Sequence, residues 1–131
     1  MYGDPMIDHL GINCTDWDRA QEFYDRVLGV LGYSRQLDYE VALGYGRDGH
    51  PAFWIADGSR NGAGGPNREV HIAFQAADAA AVRAFHDAAL ELGAESLHAP
   101  RLWPEYHEKY YGAFVRDPDG NNVEAVFHGG A

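Results

Sequence analysis

The chain carries one pattern twice. Ile7-Asp8-His9-Leu10-Gly11-Ile12-Asn13-Cys14 aligns with Glu69-Val70-His71-Ile72-Ala73-Phe74-Gln75-Ala76 at an offset of 62 residues, the spacing between His9 and His71. The same offset carries Asp16 onto Asp78, Ala20 onto Val82, Phe23 onto Phe85, Val27 onto Ala89 and Leu28 onto Leu90. It then slips by one, and Gly32 meets Gly93. A solenoid repeats a shorter unit many times, so a period this long means one supersecondary unit duplicated. Two such units within 131 residues make one compact domain with a shared core.

Each unit reads as βαβββ. The first spans about residues 6–56 and opens with a strand near 6–14. There Leu10, Ile12 and Cys14 point one way and His9, Gly11 and Asn13 the other. Thr15 or Asp16 caps a helix, with Asp18 close to a capping box. Trp17, Ala20, Tyr24, Val27, Leu28 and Leu31 form its apolar stripe, and Gly29 and Gly32 mark its end. Strands follow near 33–38, 41–45 and 52–56, with a turn at 47–51. Residues 57–68, rich in Gly, Asn and Pro, read as a connector. Its Gly62-Ala63-Gly64-Gly65 run lacks the Gly-Lys-Ser/Thr of a phosphate-binding loop.

The second unit spans about 69–128. Its strand at 69–76 puts Val70, Ile72 and Phe74 on one face and His71, Ala73 and Gln75 on the other. Asp78 caps a helix with a core face of Val82, Phe85, Ala89 and Leu92, ended by Gly93. A strand near 95–98 leads into an aromatic loop from Pro100 to Lys109. A hairpin of 110–116 and 121–128 then closes around Asp117-Pro118-Asp119-Gly120. In its last strand Val123, Ala125 and Phe127 alternate with Glu124, Val126 and His128. The expected fold class is α+β, with two βαβββ modules forming a curved mixed sheet and helices on its outer face.

Composition excludes several classes. A net charge of −10 without a basic stripe argues against nucleic acid. No apolar run approaches a membrane span, and the first residues lack a basic start and an apolar core, so neither a membrane anchor nor a signal peptide is expected. The single cysteine, Cys14, cannot form an internal disulfide and lies by parity on the helix-packed face, where it is inert. The expected compartment is the cytoplasm.

His9, Asn13, His71, Gln75, Glu124 and His128 fall on the sheet faces away from the helices. One histidine there would read as solvated polarity. Three good metal ligands at matched positions of a duplicated unit, His9, His71 and Glu124, point instead to an ion held between the halves. In the aromatic loop, Trp103, Tyr106, His107, Tyr110 and Tyr111 suit either a small-molecule pocket or a plug at the sheet's mouth. Tyr or His there can act as acid or base. His50, His86, His98 and His128 read as surface residues or outer partners of the site.

The chain resembles the vicinal oxygen chelate superfamily of glyoxalase I, extradiol dioxygenases, and fosfomycin- and bleomycin-resistance proteins. The matching segments are Ile7-Asp8-His9-Leu10, the helix Ala20-Gln21-Glu22-Phe23-Tyr24-Asp25-Arg26-Val27-Leu28-Gly29, Val70-His71-Ile72-Ala73-Phe74, and Phe114 through Glu124. The resemblance implies a divalent metal (Fe, Mn, Zn or Ni) on His9, His71 and Glu124. It implies lyase, isomerase or dioxygenase chemistry on a small molecule with adjacent oxygens. Glu124, His107 and Tyr111 are then the catalytic candidates, and Trp54, Trp103, Tyr106 and Tyr110 the pocket wall. Glyoxalase I has a fourth ligand, a carboxylate, in the first module's last strand. Ala52-Phe53-Trp54-Ile55-Ala56 offers none, and Trp54 lies at or beside the lost position. A homodimer is implied, in some relatives with His9 of one chain facing His71 and Glu124 of the other. The alternative is a metal-free binding protein of the bleomycin-resistance type, whose cationic ligand would suit the acidic charge.

Overall fold

The structure is a computed structural model that describes residues 7–60, 67 and 69–131. Residue 6 of the expected first strand, the Gly62–Gly65 run and most of the connector lie outside the described residues. The first module comprises β1 (Leu10–Cys14), α1 (Trp17–Val30), β2 (Ser34–Asp38), β3 (Ala42–Arg47) and β4 (His50–Asp57). The second comprises β5 (His71–Gln75), α2 (Ala79–Glu91), β6 (Ser96–Leu102), β7 (Tyr111–Arg116) and β8 (Asn122–Phe127). Each module closes a four-stranded mixed sheet, in the orders β1-β4-β3-β2 and β5-β8-β7-β6. The fold is the expected α+β pair of βαβββ units. Each first strand runs parallel to the last strand of its module, and the remaining neighbours are antiparallel.

Both helices begin on an aspartate. Asp16 accepts the backbone N–H of Arg19 at 3.2 Å, and Asp78 that of Ala81 at 2.7 Å, meeting amide donors that the helix itself leaves unpaired. The expected near-box with Asp18 does not form. Asp18 is the second residue of α1, one short of the position from which a side chain returns to the cap, and Arg19 stands there instead. Gly29 lies inside α1 rather than ending it. The chain leaves the helix at Gly32, at φ 93°, as it leaves α2 through Gly93 at φ 86°. The β3–β4 turn uses Asp48 and Gly49, both at positive φ, the dipeptide that suits a two-residue hairpin.

The modules share one core. Ala20, Phe23, Tyr24, Val27 and Leu28 of α1 and Val82, Phe85 and Ala89 of α2 are buried, and the two helices pack on each other. Phe53 meets Phe74 edge-on at 5.0 Å, and the Tyr33 hydroxyl donates to the Gln75 carbonyl at 2.8 Å. The firmest link is the 117–121 turn. The buried Asp117 accepts the backbone N–H groups of Asp119 and Asn121 on one oxygen. On the other it accepts the Asn121 amide and, at 2.6 Å, the Tyr24 hydroxyl from the opposite module. Asp119 accepts the Thr15 backbone N–H and hydroxyl beside it. The Asp-Pro-Asp-Gly-Asn segment is thus a clasp between modules. Cys14 is buried, and burial pushes its thiol well above the usual range, so it stays protonated.

Candidate functional site

Strand alternation divides the second sheet. Ile72, Val123, Ala125, Ala113 and Val115 face α2 and the core, while His71, Glu124 and Phe114 lie on the other side. Glu124 stands between Ala73 and Phe114 in the register and is only 2% exposed. A buried carboxylate must be met by donors. One oxygen lies 2.9 Å from Nε2 of His71, and the other accepts the Tyr110 hydroxyl. Gly112 leaves room for it, since a Cβ there would lie 3.2 Å from both the carboxylate and the Tyr110 ring and press on them. Burial, and then the bond to Glu124, raise the Tyr110 pKa, so the phenol keeps its proton.

Aromatic rings wall this group. Trp103 is buried, donates Nε1–H to the Gly112 carbonyl at 3.0 Å, and meets Phe114 and His98 edge-on. Tyr106 stacks outside Trp103 and remains exposed, with its ring 4.9 Å from that of Tyr110. His107 and His128 lie behind Tyr110, joined Nε2 to Nδ1 at 2.9 Å. The Lys109 backbone N–H donates to Nδ1 of His107, so Nε2 of that ring carries the proton it gives His128. Tyr111, the acid–base candidate of the sequence reading, is buried on the opposite face, its hydroxyl 3.5 Å from Arg83. Tyr110 is the tyrosine that reaches the carboxylate. The expected loop also begins later, because β6 continues through Pro100 to Leu102. Among the outer histidines, His86 is buried rather than at the surface and bonds Ser96 at 2.7 Å.

The first module repeats the backbone without the acid. Gly11 pairs with Trp54 as Ala73 pairs with Glu124, so Trp54 occupies the place of the missing carboxylate. Its indole stacks on Tyr39 at 5.9 Å and covers Gly44, where a Cβ would come within 2.8 Å of the ring. Asp57 ends β4 on the core side and is turned onto Ser59, so it does not replace the acid. His9 precedes β1, is exposed, and has Nδ1 2.9 Å from the Asp8 carboxylate. The structure therefore brings His71 and Glu124 together and leaves His9 apart. Among the described residues no three potential ligands converge to hold an ion. The donor pair itself fits a divalent cation, with an imidazole nitrogen and a carboxylate oxygen adjacent on an open face.

Duplicated βαβββ units with this arrangement define a protein of the vicinal oxygen chelate superfamily. More narrowly, the chain belongs to the glyoxalase-like domain family, whose model matches residues 9–126. Its structure is similar to that of a glyoxalase/bleomycin resistance protein from Albidiferax ferrireducens, at 25% identity and a TM-score of 0.82, covering 94% of this chain and 99% of that one. In fold it is also similar to a lactoylglutathione lyase from Agrobacterium tumefaciens, at 23% identity and a TM-score of 0.67, covering 95% and 96%. A glyoxalase/bleomycin resistance protein/dioxygenase family enzyme from Burkholderia phytofirmans shares the fold at 17% identity and a TM-score of 0.69, covering 92% and 97%. No curated protein matches the chain. Among the described residues no helix is long and apolar enough to cross a membrane.

Proposed function

We propose that this protein is a small metal-dependent enzyme that binds an oxygen-bearing small molecule for lyase, isomerase or dioxygenase chemistry. A divalent ion (Fe, Mn, Zn or Ni) is held by His71 and Glu124 of one chain and His9 of a second copy. The carrying observation is the buried Glu124 carboxylate beside Nε2 of His71 at 2.9 Å, on an open sheet face. Bound there, the ion supplies a Lewis acid that polarises substrate oxygens. The residues of this chain do the rest. Trp103 and Phe114, both buried and with His98 packed edge-on against them, exclude water and offer an apolar wall to an organic substrate. Tyr110 holds a proton at its hydroxyl against Glu124, which keeps one carboxylate oxygen oriented and places an acid at the site. In this reading Tyr110 takes the role the sequence suggested for Tyr111, and His107 supports Tyr110 from behind.

Metal analysis of tag-free protein tests the proposal, with one equivalent expected and its loss in His71→Ala. A metal-free protein whose melting ignores chelators sinks it. Mixing His9→Ala with His71→Ala tests the shared site. Heterodimers regain one intact site of two if His9 is donated across the pair, and none if each chain uses its own.

A second reading draws on Trp54 and Tyr39, whose stacked rings take the place of the fourth ligand. They suit a flat or cationic ligand held without metal. A thermal shift with a cationic glycopeptide, undiminished by chelator, would favour it.

A further inference from the structure

His9 is not a bare imidazole at the end of a strand. Asp8, His9 and His50 line one cavity of about 380 Å³ with Pro51 and Trp54. The contacts run in sequence. Nε2 of His50 lies 3.1 Å from the Asp8 carbonyl oxygen and 3.7 Å from its carboxylate, fixing the Asp8 backbone to the start of β4. Oδ2 of Asp8 lies 2.9 Å from Nδ1 of His9. An ionised carboxylate only accepts, so the proton of a neutral His9 sits on Nδ1 and Nε2 keeps its lone pair. No described residue bonds that Nε2. The other module lacks the device, because Val70 occupies the place of Asp8, and His71 instead directs Nε2 at Glu124.

We infer that Asp8 is a positioning residue that locks His9 in the tautomer whose Nε2 can bind a metal ion, with His50 holding Asp8 in place. This rests on the functional reading above. A carboxylate on the far nitrogen of a metal-binding imidazole sets ring orientation and raises ligand basicity. An uncharged acceptor in the same place would orient the ring but add less basicity.

The test separates the tautomer from the metal. Imidazole 15N–1H spectra of the metal-free protein should show His9 protonated at Nδ1. Asp8→Ala should return it toward the Nε2-protonated form that a free histidine side chain favours. Chelator-competition titrations with cobalt(II) then give affinity for wild type, Asp8→Asn, Asp8→Ala, His50→Ala and His9→Ala. The expected loss is about 10- to 100-fold for Asp8→Ala. It should be smaller for Asp8→Asn and His50→Ala, and greatest for His9→Ala. In the cobalt protein, the shifted exchangeable Nδ1–H resonance of His9 should broaden by solvent exchange in Asp8→Ala, an effect that a merely structural role does not produce. If wild type binds cobalt through His9 while Asp8→Ala changes neither affinity nor the resonance, the inference falls and the functional reading stands. If wild type binds no metal, both fall. If the metal-free protein carries the His9 proton on Nε2, the inference falls whatever the metal does.

Discussion

Across β5, β8 and β7 of the second module stand Ala73, Glu124 and Phe114. Across β1, β4 and β3 of the first, the same three places hold Gly11, Trp54 and Gly44. The backbone registers agree, and the side chains have exchanged parts. In the second module the large ring sits on the middle strand of the three-stranded meander and leaves the last strand free to carry an acid. In the first the ring sits on the last strand, and glycine opposite makes room for it. At these matched places each sheet carries one ring, Phe114 in the second module and Trp54 in the first, and only the second carries a carboxylate. The duplication thus preserved what the core requires and let the open faces diverge, since no helix packs there to constrain them.

The sharpest way to break this comparison is to exchange the acid. Glu124→Gln should weaken metal binding by at least roughly 100-fold, more than removal of an outer partner does, as read by calorimetric titration. Trp54→Glu should do the reverse and tighten it, at a cost of about 1–3 kcal/mol in folding stability from lost ring packing. Unchanged affinity in Trp54→Glu would mean that the two positions match in backbone alone. Next in size is the helix partner. The 62-residue offset carries Tyr24 onto His86, both buried, one bonding across to Asp117 and the other within its own module to Ser96. Tyr24→Phe should cost about 1–3 kcal/mol in urea unfolding, because it removes a donor from a buried carboxylate.

His86 provides a pH dependence. Burial lowers its pKa in the folded protein, so the unfolded chain takes the proton first as pH falls. Its contribution is complete above the unfolded value of about 6.5 and is lost progressively below it. His86→Gln should flatten that part of the stability profile, and Tyr24 variants should leave it alone. The smallest effects belong to the caps. Asp16→Ala and Asp78→Ala should each cost about 1 kcal/mol in thermal unfolding, with Asp78 the larger for its shorter bond.

Much of this was legible in the residues. The repeat, both capping aspartates, Gly32 and Gly93, and the strand parity of Ile72, Val123 and Ala125 all follow from local rules. The misreadings have physical causes. Pro100 reads as a strand breaker, yet β6 is an edge strand, where a missing N–H costs no ladder bond. Tyr110 and Tyr111 are adjacent, and which one faces Glu124 depends on register. Pairing outward from the 117–121 turn sets Phe114 opposite Glu124 and Gly112 opposite Val126, which puts Tyr110 on the acid's side. That signal was in the sequence and required the hairpin to be counted. The link from His50 to Asp8 follows from the parallel register of β1 on β4, a long-range pairing that no local pattern announces. The distance of His9 from its expected partners depends on how the modules dock, which periodicity does not specify.

The clasp at Asp117 has a thermodynamic corollary. Its nearest donor comes from the other half of the chain, so peeling either module away would strand a buried hydroxyl and a buried carboxylate together. Melting one half first would lose this pairing together with the core that both halves share. A protein built by repetition is therefore expected to unfold in a single cooperative step, read as one transition in the melting curve whichever module is probed.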